Sequence, residues 1–273
     1  MASSSFRLVA VDLDGTLLRS DGSVSQRTRD AIDAAREADA TVVIVTARSP
    51  RSVGDLAREA GIGGWAICAN GATIFDLDTA KIVRHTALPA TVGHRIVRAL
   101  RAEVPDTVFG WELELRFGSE PGYEALREAH WWPRPEGSFP PCDVLDWQQP
   151  FTKLLARAEG ETQELAFAVA REAAQGDASV TLTGQAFVEM MAAGVTKGAA
   201  LAQLAGELGI DRSEVIAFGD HVTDVGMLEW AGLGVAVANG HPSVLAVADE
   251  VARANDEDGV AVILERLSYA GSR

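Results

Sequence analysis

The chain has 273 residues, 47% hydrophobic and 23% charged, with 24 Lys and Arg against 39 Asp and Glu and a formal charge of −15. That balance excludes disordered and fibrous classes, and the length allows one or two domains with a large core. So acidic a chain, with no run of Lys or Arg, disfavours nucleic acid and anionic lipid as partners.

Two distant cysteines, Cys68 and Cys142, fit neither a disulfide scaffold nor a cysteine zinc finger, and they point to a reducing compartment. The start, MASSSFRLVAVDLDG, lacks the basic and apolar regions of a secretory signal, and no apolar run is long enough to span a membrane. A cytoplasmic protein is the expectation.

Arg7 to Val11 is an unbroken apolar run, which predicts a strand buried on both faces of a parallel sheet. Ser23 to Gln26 reads as a capping box, followed by Ala31, Ile32, Ala35 and Ala38 at helical spacing. Thr41 to Thr46 is a second strand. A helix then opens at Pro50 and closes at Gly61. Trp65 to Ala69 is a third strand, placing Cys68 in the core, and Asn70-Gly71 is turn chemistry. Residues 73–84 read as two short strands about a turn.

The character changes near residue 85. Four of the six tryptophans lie between 111 and 147, helical patterns occupy 90–103 and 161–174, and strand-like stretches fall at 107–117, 153–157 and 178–183. This predicts a second α/β domain inserted into the first. In it, Glu114 and Arg116 occupy alternating strand positions, open equally to a cleft lining and a solvated face, and Trp131 to Pro135 reads, ahead of a sugar-stacking lid, as a Pro-rich loop whose aromatics cover their own domain. From Lys197 the earlier style returns: a helix to 208, a capping turn at 211–214, a strand at 215–219, a helix at 223–230, a strand at 234–238, and helices from Pro242 and from about Asp258. Alternation on both sides of the insert predicts a doubly wound parallel sheet.

Ligands in such sheets sit beyond the carboxyl ends of the strands. The first strand ends in Asp12-Leu13-Asp14-Gly15-Thr16, the second in Thr46-Ala47-Arg48, and a late one in Gly219-Asp220 with Asp224 just beyond. Lys197 starts the helix returning from the insert. Carboxylates are hard oxygen ligands suited to Mg²⁺, a lysine offers charge to phosphate oxygens, and Gly15 permits a sharp turn. Each residue alone is ordinary as a cap or solvated group. Their appearance together, each at a strand end or helix start, points to phosphoryl transfer. His221 is read as a site neighbour only.

These residues resemble the haloacid dehalogenase superfamily, and within it the Cof-type phosphatases, whose cap is inserted between the second and third motifs. The first motif is Asp12 to Leu17, DLDGTL. The second is Thr46-Ala47-Arg48, with alanine where the family has glycine. The third is Lys197 in VTKGAAL. The fourth is Gly219 to Leu228, GDHVTDVGML, with Thr223 where the family has asparagine. Lesser matches are Asn70-Gly71-Ala72 and the tail from Val237-Ala238-Asn239 to Asn255–Val260.

The resemblance implies a Rossmann-like core domain over 1–84 and 186–273 and an α/β substrate-specificity cap over 85–185. It implies a Mg²⁺-dependent phosphatase of a small phosphorylated metabolite, a sugar phosphate foremost, working as a monomer or weak dimer. Asp12 would be the nucleophile and Asp14 the general acid and base. Mg²⁺ would be held by Asp12, the Asp14 carbonyl and Asp220, with Asp224 behind them. Lys197, Thr46, Thr223 and the N–H groups of Leu13 and Ala47 would hold phosphate oxygens. A carboxylate at Asp14 argues against dehalogenation. A related sugar phosphomutase stays open as an alternative. So does a catalytically weak phosphate-binding or regulatory protein, which Thr223 and the unmatched cap would favour.

Overall fold

The computed structural model describes residues 6–123, 149–160, 162–183 and 187–267, the side chains of Glu59 and Thr183 excepted. The chain divides into two units, Met1–Arg84 with Thr196–Arg273, and His85–Val195.

The first unit opens with β1 (Leu8–Val11), α1 (Gln26–Glu37), β2 (Thr41–Val45), α2 (Pro50–Ala60), β3 (Trp65–Cys68), β4 (Thr73–Asp76) and β5 (Lys81–His85). The second unit supplies α3 (Ala90–Glu103), β6 (Val108–Leu113), β7 (Arg116–Ser119), β8 (Lys153–Arg157), α4 (Thr162–Ala174), β9 (Ala178–Thr183) and β10 (Phe187–Ala192). The first unit resumes with α5 (Lys197–Glu207), β11 (Val215–Gly219), α6 (Val225–Trp230), β12 (Leu233–Val237), α7 (Pro242–Leu245), β13 (Glu250–Ala252) and α8 (Gly259–Arg266).

Eight strands form one sheet in the order β13-β12-β11-β1-β2-β3-β4-β5. The six from β13 to β3 are parallel, and β4 turns back antiparallel on β3. Alternate residues of β1 face opposite ways. Val9 and Val11 join a core with Ile32 of α1, Ala57 of α2 and Leu264 of α8, whereas Leu8 and Ala10 join Leu201 of α5, Met227 of α6 and Val244 of α7. A strand covered on both faces has no solvent side, which is why its sequence reads as a continuous apolar run. Helices on both faces make the sheet doubly wound, and Cys68 is fully buried in the first of these cores.

The second unit is a five-stranded antiparallel sheet, β7-β6-β8-β10-β9. Ile96 and Leu100 of α3 and Ala166 and Ala170 of α4 cover one face, against Phe109, Trp111, Leu154, Val188 and Met190. On the opposite face Lys153 donates to Glu189 at 2.7 Å, both side chains buried.

Several sequence expectations change. The cap of α1 is Ser25, whose hydroxyl accepts from the Thr28 N–H, while Ser23 donates to Asp21 in the preceding turn. The stretch 107–117 is a hairpin rather than one strand, and Glu114 sits in its turn at φ +55°. Arg116 is exposed and donates to Gln149. The return to the first unit falls at Thr196, not 186, because Phe187–Ala192 is a strand of the second sheet. The strand β13 was not anticipated. Trp131 to Pro135 and Cys142 lie outside the described residues. Among those described, no helix is long and apolar enough to cross a membrane.

Candidate active site

β11, β1 and β2 are adjacent and parallel, with Val11 registered against both Phe218 and Ile44. Their carboxyl ends therefore lie side by side. The segments after them carry Asp220, Asp12 and Thr46, and the Asp12 N–H extends the ladder by donating to the Phe218 carbonyl at 3.0 Å. Lys197, the first residue of α5, reaches between two of these segments. Its Nζ donates to Asp12 Oδ1 and to Asp224 Oδ1, each at 2.6 Å. All three residues are buried.

Carboxylate oxygens of Asp12, Asp220 and Asp224 lie within 4.8 Å of one another. Burial is the largest influence on Asp12 and pushes its carboxyl well above the ordinary range. Lys197 pulls it down, but Asp224 and Asp220 add to the rise. Burial also raises Asp220, against the hydrogen bond from Thr16. Burial by itself would lower Lys197, yet the two carboxylates beside it hold its ammonium above the usual lysine range. Three carboxylates thus face one ammonium in a place where burial opposes negative charge. An all-oxygen donor set with that surplus fits a hard divalent cation such as Mg²⁺.

Asp224 organises the fourth motif. Its Oδ2 accepts from the N–H groups of Asp220 and His221 at 3.1 and 2.9 Å. Thr16 donates to Asp220 Oδ1 at 2.6 Å, and a Cβ on Gly15 would stand 2.5 Å from Asp220 Oδ2. Gly15 also adopts φ +84°, so its lack of a side chain serves both the turn and the close approach.

Asp14 is placed differently from the other carboxylates. It is exposed, outside the cluster, and gripped by Arg48: Nε donates to Oδ2 at 2.8 Å and Nη2 to Oδ1. Thr46 is fully buried, and its hydroxyl accepts from the Arg48 N–H at 3.1 Å. Leu13 is buried while Ala47 is exposed. The Thr223 hydroxyl lies 3.3 Å from His221 Nδ1, within its own loop.

Arg48, Thr16, Asn239 and Asn255 all lie within the matched motifs, whose local sequence indicates no side-chain partner for them. Asn239 Nδ2 donates to the Gly15 carbonyl at 2.7 Å, and Asn239 Oδ1 accepts from the Asn255 N–H at 3.0 Å. Asn255 Nδ2 donates to the Leu18 carbonyl at 2.8 Å. The distant tail thus fastens the loop after β1 at two points, Gly15 and Leu18. Asparagines just past strand ends were the available signal. Asn255→Ala is expected to destabilise the protein by about 1–3 kcal/mol, the cost of leaving a buried carbonyl unpaired. Denaturant titration against the wild type checks this, and a loss below about 0.5 kcal/mol would contradict it.

With this geometry in view, a protein-family model described as haloacid dehalogenase-like hydrolase matches residues 9–264. The chain belongs to that family. Phosphatase YwpJ of Bacillus subtilis is 30% identical over 294 residues, covering 96% of this chain and 99% of that protein. The 5-amino-6-(5-phospho-D-ribitylamino)uracil phosphatase YcsE of the same organism is 28% identical, covering 93% of each. A haloacid dehalogenase-like hydrolase of Bacteroides thetaiotaomicron, known by crystal structure, superposes with a TM-score of 0.80 at 25% identity, over 96% of this chain and 100% of that one. Within the haloacid dehalogenase-like hydrolases the chain is of the Cof type, and it is a phosphatase enzyme.

Proposed function

We propose that this phosphatase hydrolyses a small phosphate monoester, a sugar phosphate foremost, in a Mg²⁺-dependent reaction through an aspartyl-phosphate on Asp12. The observation that carries the reading is the convergence of Asp12, Asp220 and Asp224 around Lys197. YcsE, by its name, acts on a phosphoribityl ester, which supports a polyol phosphate as substrate.

In the first step an Asp12 oxygen attacks phosphorus and the bond to the leaving oxygen breaks. Asp14 is assigned the role of general acid toward that oxygen and is left as carboxylate once the proton has passed. In the second step water attacks the phosphorus of the acyl phosphate, Asp14 takes the proton, and Asp12 leaves as carboxylate with phosphate released. Lys197 opposes the protonation of Asp12 that burial favours, and it aims the carboxylate. Lys197, Thr46, Thr223 and the N–H groups of Leu13 and Ala47 hold the non-bridging oxygens. Asp12, Asp220 and the Asp14 carbonyl would hold Mg²⁺, with Asp224 in support, and the ion would supply charge neutralisation at the phosphoryl group. Arg48 holds Asp14 at the edge of the site, where a leaving group departs. The inserted unit is assigned the choice of substrate.

Turnover of p-nitrophenyl phosphate tests the reading. EDTA is expected to abolish it and Mg²⁺ to restore it. Asp14→Ala is expected to lower kcat by about 10²-fold or more while KM moves little. Full turnover in EDTA would end the metal assignment, and a change confined to KM would end the acid–base role. Comparing sugar phosphates with nucleotides and vitamin phosphates decides the substrate class.

A further inference from the structure

The turn after β3 has an unusual backbone. Ala69, Asn70 and Gly71 follow one another at φ +50°, +53° and +106°. Asparagine tolerates this region and glycine is at ease in it, but alanine rarely adopts it. Ala69 and Asn70 are also buried. Backbone held this way persists only where its surroundings dictate it, and such strain clusters at functional sites.

The surroundings are two parts of the site. On one side the Asn70 N–H donates to the Thr46 carbonyl at 3.0 Å and the Ala69 N–H to the Arg48 carbonyl at 2.7 Å. Both bonds run to the loop that carries Thr46 and Ala47 and whose Arg48 grips Asp14. On the other side a Cβ on Gly71 would lie 2.5 Å from the Thr196 carbonyl oxygen. Thr196 caps α5 by accepting from the Ala199 N–H at 3.1 Å, and Lys197 follows it directly.

We infer that the Ala69–Gly71 turn is a positioning device, whose left-handed backbone sets the spacing between the Thr46–Arg48 loop and the start of α5 that bears Lys197. It touches neither phosphate nor metal in the proposed reaction. The consecutive positive φ values turn two successive N–H groups onto the Thr46–Arg48 loop, and the missing Cβ at Gly71 lets the helix start close in behind. The inference rests on the roles proposed above for Thr46, Asp14 and Lys197.

Kinetics of p-nitrophenyl phosphate hydrolysis on the full chain with Mg²⁺ test it. Gly71→Ala must displace the Thr196 carbonyl or the turn, and kcat is expected to fall by about 10–100-fold through misplacement of reacting groups. Asn70→Ala and Asn70→Gly form a milder pair, since Ala69 already shows that this turn accepts an alanine at positive φ. Asn70→Ala is expected to lower kcat severalfold with KM little changed, while Asn70→Gly stays within about twofold of wild type. If Gly71→Ala does not fold, the Asn70 pair decides alone. A fall in melting temperature with kcat unchanged in Gly71→Ala, or in Asn70→Ala where Gly71→Ala does not fold, would mark a merely structural turn and overturn the inference. So would equal loss in both Asn70 variants. Lys197→Met, run alongside, separates the failures: if it is inactive while the turn variants are normal, only the positioning role falls. If it keeps wild-type turnover, the reading of the site falls and takes the positioning role with it.

Discussion

Asp12→Asn is expected to reduce turnover by about 10⁴-fold or more while the protein stays folded. The substitution keeps the shape of the side chain, and an amide oxygen can still accept from Lys197 Nζ, now 2.6 Å from Asp12 Oδ1. What it removes is the negative oxygen that forms a bond to phosphorus. It also relieves the site of one carboxylate whose charge burial opposes, so a small gain in metal-free melting temperature is expected. Phosphate release from a monoester and intact-mass detection of the phosphorylated chain check the assignment together. Wild-type turnover in the variant, or a phosphorylated species that forms without Asp12, would place the nucleophile elsewhere.

Lys197→Met is the second large effect, and it acts on stability and catalysis at once. The methionine fills much the same space, but Asp12 and Asp224 lose the ammonium that each now bonds. Removing one partner of a buried ion pair costs about 3–5 kcal/mol, because the remaining charge stays desolvated. For a chain of this length that lowers the metal-free melting temperature by on the order of 10 °C. Catalysis is expected to fall by about 10²–10³-fold, as when a preorganised donor to a developing anion is deleted. The cluster without its lysine carries the charge of three carboxylates, so Mg²⁺ is expected to raise the melting temperature of the variant more than that of the wild type. Melts in EDTA and in Mg²⁺ provide the measurement. A variant as stable as wild type in EDTA, or one indifferent to Mg²⁺, would contradict the electrostatic account.

The parallel strands were legible because burial on both faces writes itself as an uninterrupted apolar run. TVVIV of β2 and VIAFG of β11 could hardly be anything else. Helix α2 was legible from its ends, Pro50 at the start and Gly61 in the left-handed cap at φ +72°. The strand β10 was not, since FVEMMA has a glutamate at its centre, and the lysine that makes Glu189 tolerable comes from β8. Ser23 and Ser25 both suit a capping pattern, and only the neighbouring Asp21 decides between them. The four motif segments named Asp12, Lys197, Asp220 and Asp224 because each sits at a strand end or helix start. The grip of Arg48 on Asp14, and of Asn255 on Leu18, joins side chains to partners far along the chain, and local pattern holds no record of such pairings.

The pairing of β1 with β11, Leu8 beside Val215, bears on how the enzyme is made. During synthesis β1 and β2 emerge early, and the inserted unit can complete its own antiparallel sheet before β11 has left the ribosome. Until then one long side of β1 stays open, an apolar edge with no partner. Such late, non-local closure is slow and invites association between nascent chains. The catalytic site therefore cannot assemble before β11 and the segment after it have emerged, and a truncated product ending ahead of β11 would have a finished insert attached to a core without a working centre.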